Sequence, residues 1–140
     1  MSEYTEERAV LRQLYAARLS GQLEQLCALF TADAFFRIAG SSAGKPIAIT
    51  AHGAHEVRTW LTMMLKTFRL SDQQIVAMIV DGNRAAVHWR ASIHSRITGV
   101  TVSTELVDVI ELRAQSICSY TELFVPSEVA GPGGALSAQP

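Results

Sequence analysis

The sequence predicts an α+β fold in which three helices lie on one side of an antiparallel sheet. Apolar residues recur at helical spacing in three segments of the first half of the chain. From Arg69 onward the spacing changes to the alternation of strands, with short turn signals between them. Helices followed by hairpin-connected strands are typical of α+β domains. The 140 residues suffice for one domain with its own core.

The three predicted helices differ in the strength of their signals. The first follows possible N-cap residues in Ser2–Thr5, and Gly21 can end it in the left-handed conformation. Its stripe comprises Val10, Leu11, Leu14, Tyr15, Arg18 and Leu19. A shorter second helix is expected over Gln22–Phe30, and a third over about Ala54–Phe68, where Trp60 and Met64 lie on the buried face.

Strands are expected in five places. They are Ala34–Ile38, Ile75–Val80, Arg84–Ile97, Thr101–Arg113 and Ile117–Val125. The tight-turn signal Asp81-Gly82-Asn83 joins the second and third of them as a hairpin. Residues 39–51 are rich in Gly, Ser and Ala, so we expect a loop or a ragged hairpin there. After Pro126 the composition is mostly Gly, Pro, Ala and Ser, which predicts a folded domain over 1–126 and a disordered tail over 127–140.

Charge and composition exclude several classes of function. The formal net charge is −1 and no basic run occurs, which argues against a nucleic-acid partner or an anionic membrane. No apolar stretch approaches the roughly 20 residues needed to cross a bilayer, and the acidic start is unlike a signal peptide. Cys27 and Cys118 are expected to be buried reduced thiols, which is consistent with a cytoplasmic protein.

One acidic residue lies on an apolar strand face. Along Thr101–Arg113, alternation places Asp108 on the same face as Leu106 and Ile110. A carboxylate there is costly to bury unless it is paired, hydrogen-bonded or protonated. Either Asp108 reaches water near a sheet edge, or the face lines a pocket in which Asp108 works. The alternation alone leaves both interpretations open.

Three short motifs resemble the nuclear-transport-factor-2-like superfamily, in particular its SnoaL-like and ketosteroid-isomerase-like members. The segment Leu19–Ala34 (LSGQLEQLCALFTADA) resembles the family's "G-D-x-E-x-L" and "F-x-x-D-A" stretch. His52-Gly53 with Glu56-Val57 resembles the entry to its third helix, and Val107–Leu112 resembles the strand before its last hairpin. The likeness spans about residues 7–125 and identifies a fold better than a reaction.

The resemblance implies a cone, in which a strongly curved antiparallel sheet wraps the helices around a mostly apolar pocket. Small apolar organic molecules bind in such pockets, and the outer face of the sheet commonly forms a homodimer. Asp108 then falls where ketosteroid isomerases keep an acid that binds the substrate oxygen. The other positions depart from that pattern, because Ile38 replaces the general base and Leu14 the tyrosine, with Tyr15 one residue out of phase. The chain is therefore not a standard ketosteroid isomerase.

Two assignments of the strand Arg84–Ile97 remain open. If its polar face points into the cone, Asp108, His88, Arg90 and Tyr120 form the catalytic set, with His88 as a general base near neutrality. Ordinary patterning favours the opposite assignment, with Trp89 facing the helices and His88 in solvent. The expected pocket wall comprises Tyr15, Trp60, Met64, Leu106, Ile110, Glu122 and Phe124.

The function hypothesis that follows is a small-molecule pocket protein. As an enzyme it would transfer protons on an apolar carbonyl compound without a cofactor, as an isomerase, cyclase or dehydratase. The alternative is a non-catalytic ligand-binding or dimerisation module of the same fold. No metal site is expected, because His52 and His55 have no carboxylate or thiol at ligand spacing.

Overall fold

A computed structural model describes residues 3–42 and 44–126. The elements are α1 (Thr5–Ser20), α2 (Leu23–Cys27), β1 (Phe30–Ser42), β2 (Lys45–His52), α3 (Gly53–Thr67), β3 (Phe68–Asp81), β4 (Arg84–Ser95), β5 (Thr101–Arg113) and β6 (Ser116–Pro126). The α+β class is confirmed, with the third helix following the β1–β2 hairpin. The predicted tail, 127–140, lies outside the described residues. In the described part of the chain, no helix is long and apolar enough to span a membrane.

The six strands form one curved, open sheet in the order β2-β1-β6-β5-β4-β3. The expectation of a purely antiparallel sheet is wrong in one place, because β1 and β6 pair in parallel. A tight hairpin can join only antiparallel neighbours, whereas parallel neighbours need a long connection. Between β1 and β6 the chain passes through α3 and four strands, which supplies that connection.

Two regions contain more strand than the sequence predicted. The segment expected to be a loop or ragged hairpin forms part of a regular one, in which Ile38 pairs with Ile49 and Ala39 with Ala48. Strand β3 begins at Phe68, seven residues before the predicted Ile75. Its pairing register shifts near Asp72, which has a positive φ of 52°. A bulge of this kind interrupts the alternation by which a strand is recognised in a sequence.

The core lies between the helices and the inner face of the sheet. Helix α1 buries Leu11 and Leu14 there, and β5 buries Leu106 and Ile110. Full burial of an apolar side chain of this size contributes about 1.5–3 kcal/mol. Gly40 is needed for packing, since a Cβ on it would lie 2.6 Å from the ring of Phe124.

The register between β4 and β5 decides which face of β4 points inward. Val87 pairs with Asp108 and Trp89 pairs with Leu106, and directly paired residues share one face of a sheet. The prediction that His88 and Arg90 point into the interior is therefore wrong. Both lie on the outer face and contact Glu105, at 2.8 Å from His88 Nε2 and 3.1 Å from Arg90 Nε.

Candidate functional site

Six polar or aromatic side chains meet in the interior, and we call them the Asp108 network. They are Tyr15 and Arg18 on α1, Trp89 on β4, Asp108 on β5, and Tyr120 and Glu122 on β6. All six are buried, and Asp108 is 0% exposed. Buried polar groups cost free energy unless they are hydrogen-bonded, so the contacts within this network determine what it can do.

The two oxygens of Asp108 have very different surroundings. Oδ2 accepts hydrogen bonds from the Tyr15 hydroxyl at 2.5 Å and from Trp89 Nε1 at 2.9 Å. The Tyr120 hydroxyl lies 2.7 Å from the same oxygen. Oδ1 is equally buried, yet it has no hydrogen-bond partner among the described residues. A polar atom left in this state costs about 1–3 kcal/mol, so Oδ1 is a position at which a ligand or water would be stabilised.

Tyr120 connects the two carboxyl groups of the network. Its hydroxyl lies 2.7 Å from Asp108 Oδ2 and 2.9 Å from Glu122 Oε2. The hydroxyl has one proton to donate, so it can donate to only one of these oxygens at a time. It also accepts a hydrogen bond from Arg18 Nη1 at 2.9 Å.

Arg18 is the cation of the network. Its guanidinium forms a buried ion pair with Glu122 and lies over the ring of Trp89, with 4.9 Å between Cζ and the ring centroid. Although burial alone would lower the pKa of Arg18, the charge of Glu122 raises it, so the guanidinium stays charged. Arg18 Nε has no hydrogen-bond partner within the described ranges 3–42 and 44–126.

The charge balance favours a neutral Asp108. Burial raises the pKa of Asp108 well above its ordinary value of 3.8, and the charge of Glu122 raises it further, against the opposing effect of Arg18. Burial, followed by the nearby Asp108, also raises the pKa of Tyr15. One buried cation can balance only one of the two carboxylates. Arg18 forms its ion pair with Glu122, which leaves Asp108 as the protonated acid.

The position of that proton gives the network a chemical capability. A side-chain hydrogen bond with Glu122 also raises the pKa of Asp108, so the neutral acid is a hydrogen-bond donor within the network. A neutral carboxylic acid in an apolar interior is a strong donor to a carbonyl oxygen. It becomes a stronger partner as that oxygen gains negative charge during a reaction.

The structure brings together part of the predicted site. Asp108, Tyr120, Glu122 and Tyr15 meet in the network, whereas His88 and Arg90 lie on the opposite face of the sheet. Of the other residues expected in a pocket wall, Leu106 and Ile110 are buried, and Trp60, Met64 and Phe124 are half-buried against the core. Leu14 and Ile38 are buried apolar residues. Among the described residues, no group of three or more His, Cys, Asp or Glu is arranged to hold a metal ion.

Sequence reasoning missed two members of the network and misjudged a third. Arg18 was counted within the apolar stripe of α1, where a cation could have signalled a buried partner. Trp89 lies on β4, for whose two faces the sequence allows opposite assignments. The sequence places Tyr15 one residue out of phase with the tyrosine of ketosteroid isomerases, yet its hydroxyl donates to Asp108.

A groove with a volume of about 490 Å³ is lined by residues of α1, of α2 and of the segment that follows α2. Its lining residues are Gln13, Ala16, Gln25, Ala28 and Leu29. None of them belongs to the Asp108 network or to the predicted pocket wall. The groove therefore does not correspond to the predicted ligand site.

Solved structures with this fold are numerous. A protein from Bacillus subtilis whose name proposes an isomerase has a TM-score of 0.76 at 20% identity, with 99% of this chain and 100% of that chain covered. An LEH-like epoxide hydrolase from M. tuberculosis has a TM-score of 0.68 at 15% identity, with 89% and 86% covered. A protein from Mesorhizobium loti whose name proposes a SnoaL-like polyketide cyclase has a TM-score of 0.63 at 16% identity, with 87% and 98% covered. At these identities the likeness shows the fold alone.

The family is shown by a match along the sequence. Residues 11–120 match the model of the SnoaL-like domain, which is more than half of the chain. No curated protein matches the chain significantly. The resemblance seen in the short motifs is thereby confirmed, and the chain belongs to the SnoaL-like domain family, with a nuclear-transport-factor-2-like fold.

Proposed function

We propose that this protein binds a small, mostly apolar carbonyl compound inside a cone-shaped fold and transfers protons on it without a cofactor. The single observation that carries this proposal is the buried, unpartnered Oδ1 of Asp108. The reaction class would be that of an isomerase, cyclase or dehydratase. In this role Asp108 donates its proton, or a hydrogen bond, to the carbonyl oxygen.

Glu122, the second carboxyl group of the Asp108 network, is the candidate base. His88 cannot serve, because it lies on the outer face beside Glu105. Glu122 is ion-paired with Arg18 and connected to Asp108 through the Tyr120 hydroxyl. Two carboxyl groups whose surroundings differ in this way commonly divide the acid and base roles of one reaction. The names of the structurally similar proteins, which include an isomerase, an epoxide hydrolase and a cyclase, support an enzyme of small organic molecules.

The second candidate function is ligand binding without catalysis. It is favoured by the closed packing of the network, in which Asp108, Tyr120 and Glu122 are all at most 4% exposed. The two candidates share the contact between Asp108 and the ligand oxygen. They differ in whether a bound ketone exchanges its α-protons with solvent.

Binding of a ketone probe should depend on the acid proton of Asp108. We expect cyclohexanone, titrated against the protein by NMR, to bind about tenfold more weakly to Asp108→Leu, because one hydrogen bond from a buried acid is lost. Asp108→Asn should retain most of the affinity, since its amide N–H₂ can donate from the position of Oδ1. His88→Ala is the matched control and should bind like the wild type.

Exchange of the α-protons of cyclohexanone in D₂O then separates the two functions. Protein-dependent exchange that is lost in Glu122→Gln supports catalysis, and binding without exchange supports the ligand-binding module. Equal affinity in Asp108→Leu and the wild type would overturn the proposed site, as would the absence of binding.

We further propose that the outer sheet face forms a homodimer. This face exposes Ile79, Val107, Val109, Leu123 and Val125, with exposed fractions of 37–66%. Exposed apolar patches of this kind mark interaction surfaces. Charges of both signs, including Glu105 and Arg90, accompany the patch, and such a mixture can be complementary to itself across a twofold axis.

Val109→Glu should convert this dimer to a monomer, because it places a charge in the centre of the patch. Sedimentation equilibrium or light scattering would measure the mass of the particle. Ile97→Glu is the control, since Ile97 is 79% exposed but lies in the turn after β4, away from the patch. A monomeric wild type, or an unchanged dimer in Val109→Glu, would contradict the interface.

A further inference from the structure

The two carboxyl groups of the Asp108 network are neighbours, and one cation serves them both. Asp108 on β5 and Glu122 on β6 are directly paired across the two strands, and they are 0% and 4% exposed. Arg18 is the one buried cation among the residues that the structure describes, and it forms its ion pair with Glu122. One cation balances one carboxylate, so the pair carries a single negative charge and one of the two groups keeps its proton.

The surroundings of Asp108 agree with this count of charges. Burial raises the pKa of Asp108 well above its ordinary value, and the charge of Glu122 raises it further, against the opposing charge of Arg18. A side-chain hydrogen bond with Glu122 adds to this rise in the pKa. A hydrogen bond between two carboxyl groups needs a proton on one of them, because an ionised carboxylate only accepts. The pair therefore holds one proton between its two members.

The Tyr120 hydroxyl lies between the two carboxyl groups. Its oxygen is 2.7 Å from Asp108 Oδ2 and 2.9 Å from Glu122 Oε2. Arg18 Nη1 donates to the same oxygen at 2.9 Å. The hydroxyl has one proton, so it donates to one carboxyl group at a time. A hydrogen bond to an ionised acceptor is roughly twice as strong as one to a neutral acceptor, so this proton belongs with whichever group is ionised.

The ring of Tyr120 is fixed, whereas its hydroxyl proton can turn. The ring is 1% exposed and stacks on Phe36, with 5.6 Å between the centroids and 11° between the planes. Phe30 packs against it at a centroid distance of 6.0 Å. A turn about the Cζ–O bond exchanges one carboxyl acceptor for the other without moving a heavy atom. The exchange therefore requires no rearrangement of the densely packed core.

Asp108 Oδ2 has donors for the ionised state as well. The Tyr15 hydroxyl donates to it at 2.5 Å and Trp89 Nε1 at 2.9 Å. When the Tyr120 hydroxyl turns toward it, three donors meet this one oxygen. Several hydrogen bonds to a carboxylate stabilise its charge. The network thus has donors for a negative charge at this position as well as at Glu122.

We propose that the Tyr120 hydroxyl follows the negative charge of the pair, donating to Glu122 while Asp108 is neutral and to Asp108 while Glu122 is neutral. Its use in catalysis rests on the proposed function, in which the charge moves between the two groups. Glu122 takes the α-proton of the ligand and becomes neutral, while Asp108 gives its proton to the carbonyl oxygen and becomes the anion. One C–H bond and one O–H bond break, two O–H bonds form, and the ligand becomes its enol. Tyr120 acts through the two carboxyl groups and is a positioning residue.

The first test needs no ligand and compares the effect of Tyr120→Phe in two backgrounds, Asp108→Asn and Glu122→Gln. Each background leaves one carboxyl group as the anion beside Arg18. We expect Tyr120→Phe to lower the folding equilibrium constant about tenfold in both, because the remaining carboxylate loses a hydrogen bond. Urea denaturation near neutral pH measures the constants. Sucrose, added equally to all variants, favours the folded state and keeps weakly folded variants measurable.

Tyr15→Phe is the matched control for this series. Tyr15 donates to Asp108, so its hydroxyl should contribute to stability in Glu122→Gln, where Asp108 is the anion, and contribute less in Asp108→Asn. If the loss caused by Tyr120→Phe is likewise confined to one background, the Tyr120 hydroxyl is a fixed donor and the inference is overturned. The absence of a loss in both backgrounds would overturn it as well.

Exchange of the α-protons of cyclohexanone connects the inference to the proposed function. At saturating cyclohexanone we expect exchange to be about tenfold slower in Tyr120→Phe than in the wild type, with an unchanged dissociation constant. The reason is that the hydroxyl stabilises the charge that moves and does not bind the ligand. Weaker binding with an unchanged exchange rate would overturn the positioning role.

The two experiments separate this inference from the proposed function. If the wild type neither binds cyclohexanone nor exchanges its protons, the proposed function is wrong, and the denaturation series still decides whether the hydroxyl follows the charge. If exchange depends on Asp108 and Glu122 but the loss of stability in Tyr120→Phe is confined to one background, the inference about Tyr120 is wrong and the proposed function stands.

Discussion

Arg18→Met is expected to lower the free energy of unfolding by about 3–5 kcal/mol. The substitution keeps the apolar volume of the side chain but removes the cation from the buried ion pair with Glu122. Glu122 then remains as an unbalanced carboxylate in the interior. Small domains have total stabilities of about 5–15 kcal/mol, so this change would remove a large fraction. Urea denaturation with linear extrapolation would measure it.

Two further variants show whether the cause is the unbalanced charge. The double variant Arg18→Met with Glu122→Leu should recover much of the lost stability, because apolar pairs can replace buried ion pairs. Arg58→Met removes the cation of the exposed Arg58–Glu24 pair and should leave the urea midpoint unchanged. A loss below about 1 kcal/mol in Arg18→Met would show that Glu122 is not held by Arg18 as the structure indicates.

The wild type is expected to lose stability relative to Asp108→Asn as the pH rises above about 4, by about 1.4 kcal/mol per pH unit. The folded protein holds the proton on Asp108 because burial, and next the charge of Glu122, raise the pKa of that carboxyl. The unfolded chain releases the same proton near the ordinary value of 3.8. Between the two pKa values the folded state binds one more proton, so increasing pH favours unfolding.

Urea denaturation of both proteins between pH 4 and 8 would measure this difference. The two should have similar stability near pH 4, since an asparagine amide resembles the neutral acid in its hydrogen bonding. The difference stops growing above the folded pKa of Asp108. Parallel pH profiles of the two proteins would show that Asp108 ionises normally in the folded state.

Asp33→Asn is the matched control for this pH series. Asp33 is exposed, and its hydrogen bond with Arg113 lowers the pKa of the carboxyl below its ordinary value. Its stabilising effect is therefore present above about pH 4 and is lost only as the pH falls further. No divergence from the wild type is expected between pH 5 and 8.

The sequence predicted correctly those features that depend on a pattern of neighbouring residues. The alternation along β5 placed Asp108 beside Leu106 and Ile110, and the structure confirms that face. The short motifs at Leu19–Ala34 and Val107–Leu112 identified the superfamily, which the match over residues 11–120 confirms. The end of α1 was also predicted, because Gly21 follows it in the left-handed conformation, whereas α2 ends at Cys27, before the predicted Phe30.

Which residues form the site could not be predicted from the sequence, because this depends on how distant segments pair. The faces of β4 depend on its register with β5, and each face of β4 alternated clearly enough for either assignment. Only the pairing of Val87 with Asp108 turned Trp89 inward and His88 outward. The contact of Arg18 with Glu122 joins residues 104 positions apart.

The sequence by itself determined the fold class, the family and the apolar strand face on which Asp108 lies, because helical spacing, strand alternation and turn residues act over a few neighbouring positions. The tertiary structure alone decided the members of the network, the parallel pairing of β1 with β6 and the unpartnered atoms Oδ1 and Nε. The network and its unpartnered atoms arise where α1 packs across the sheet. The charge and hydrogen bonding of a buried group depend on all the elements around it, and these are far apart along the chain.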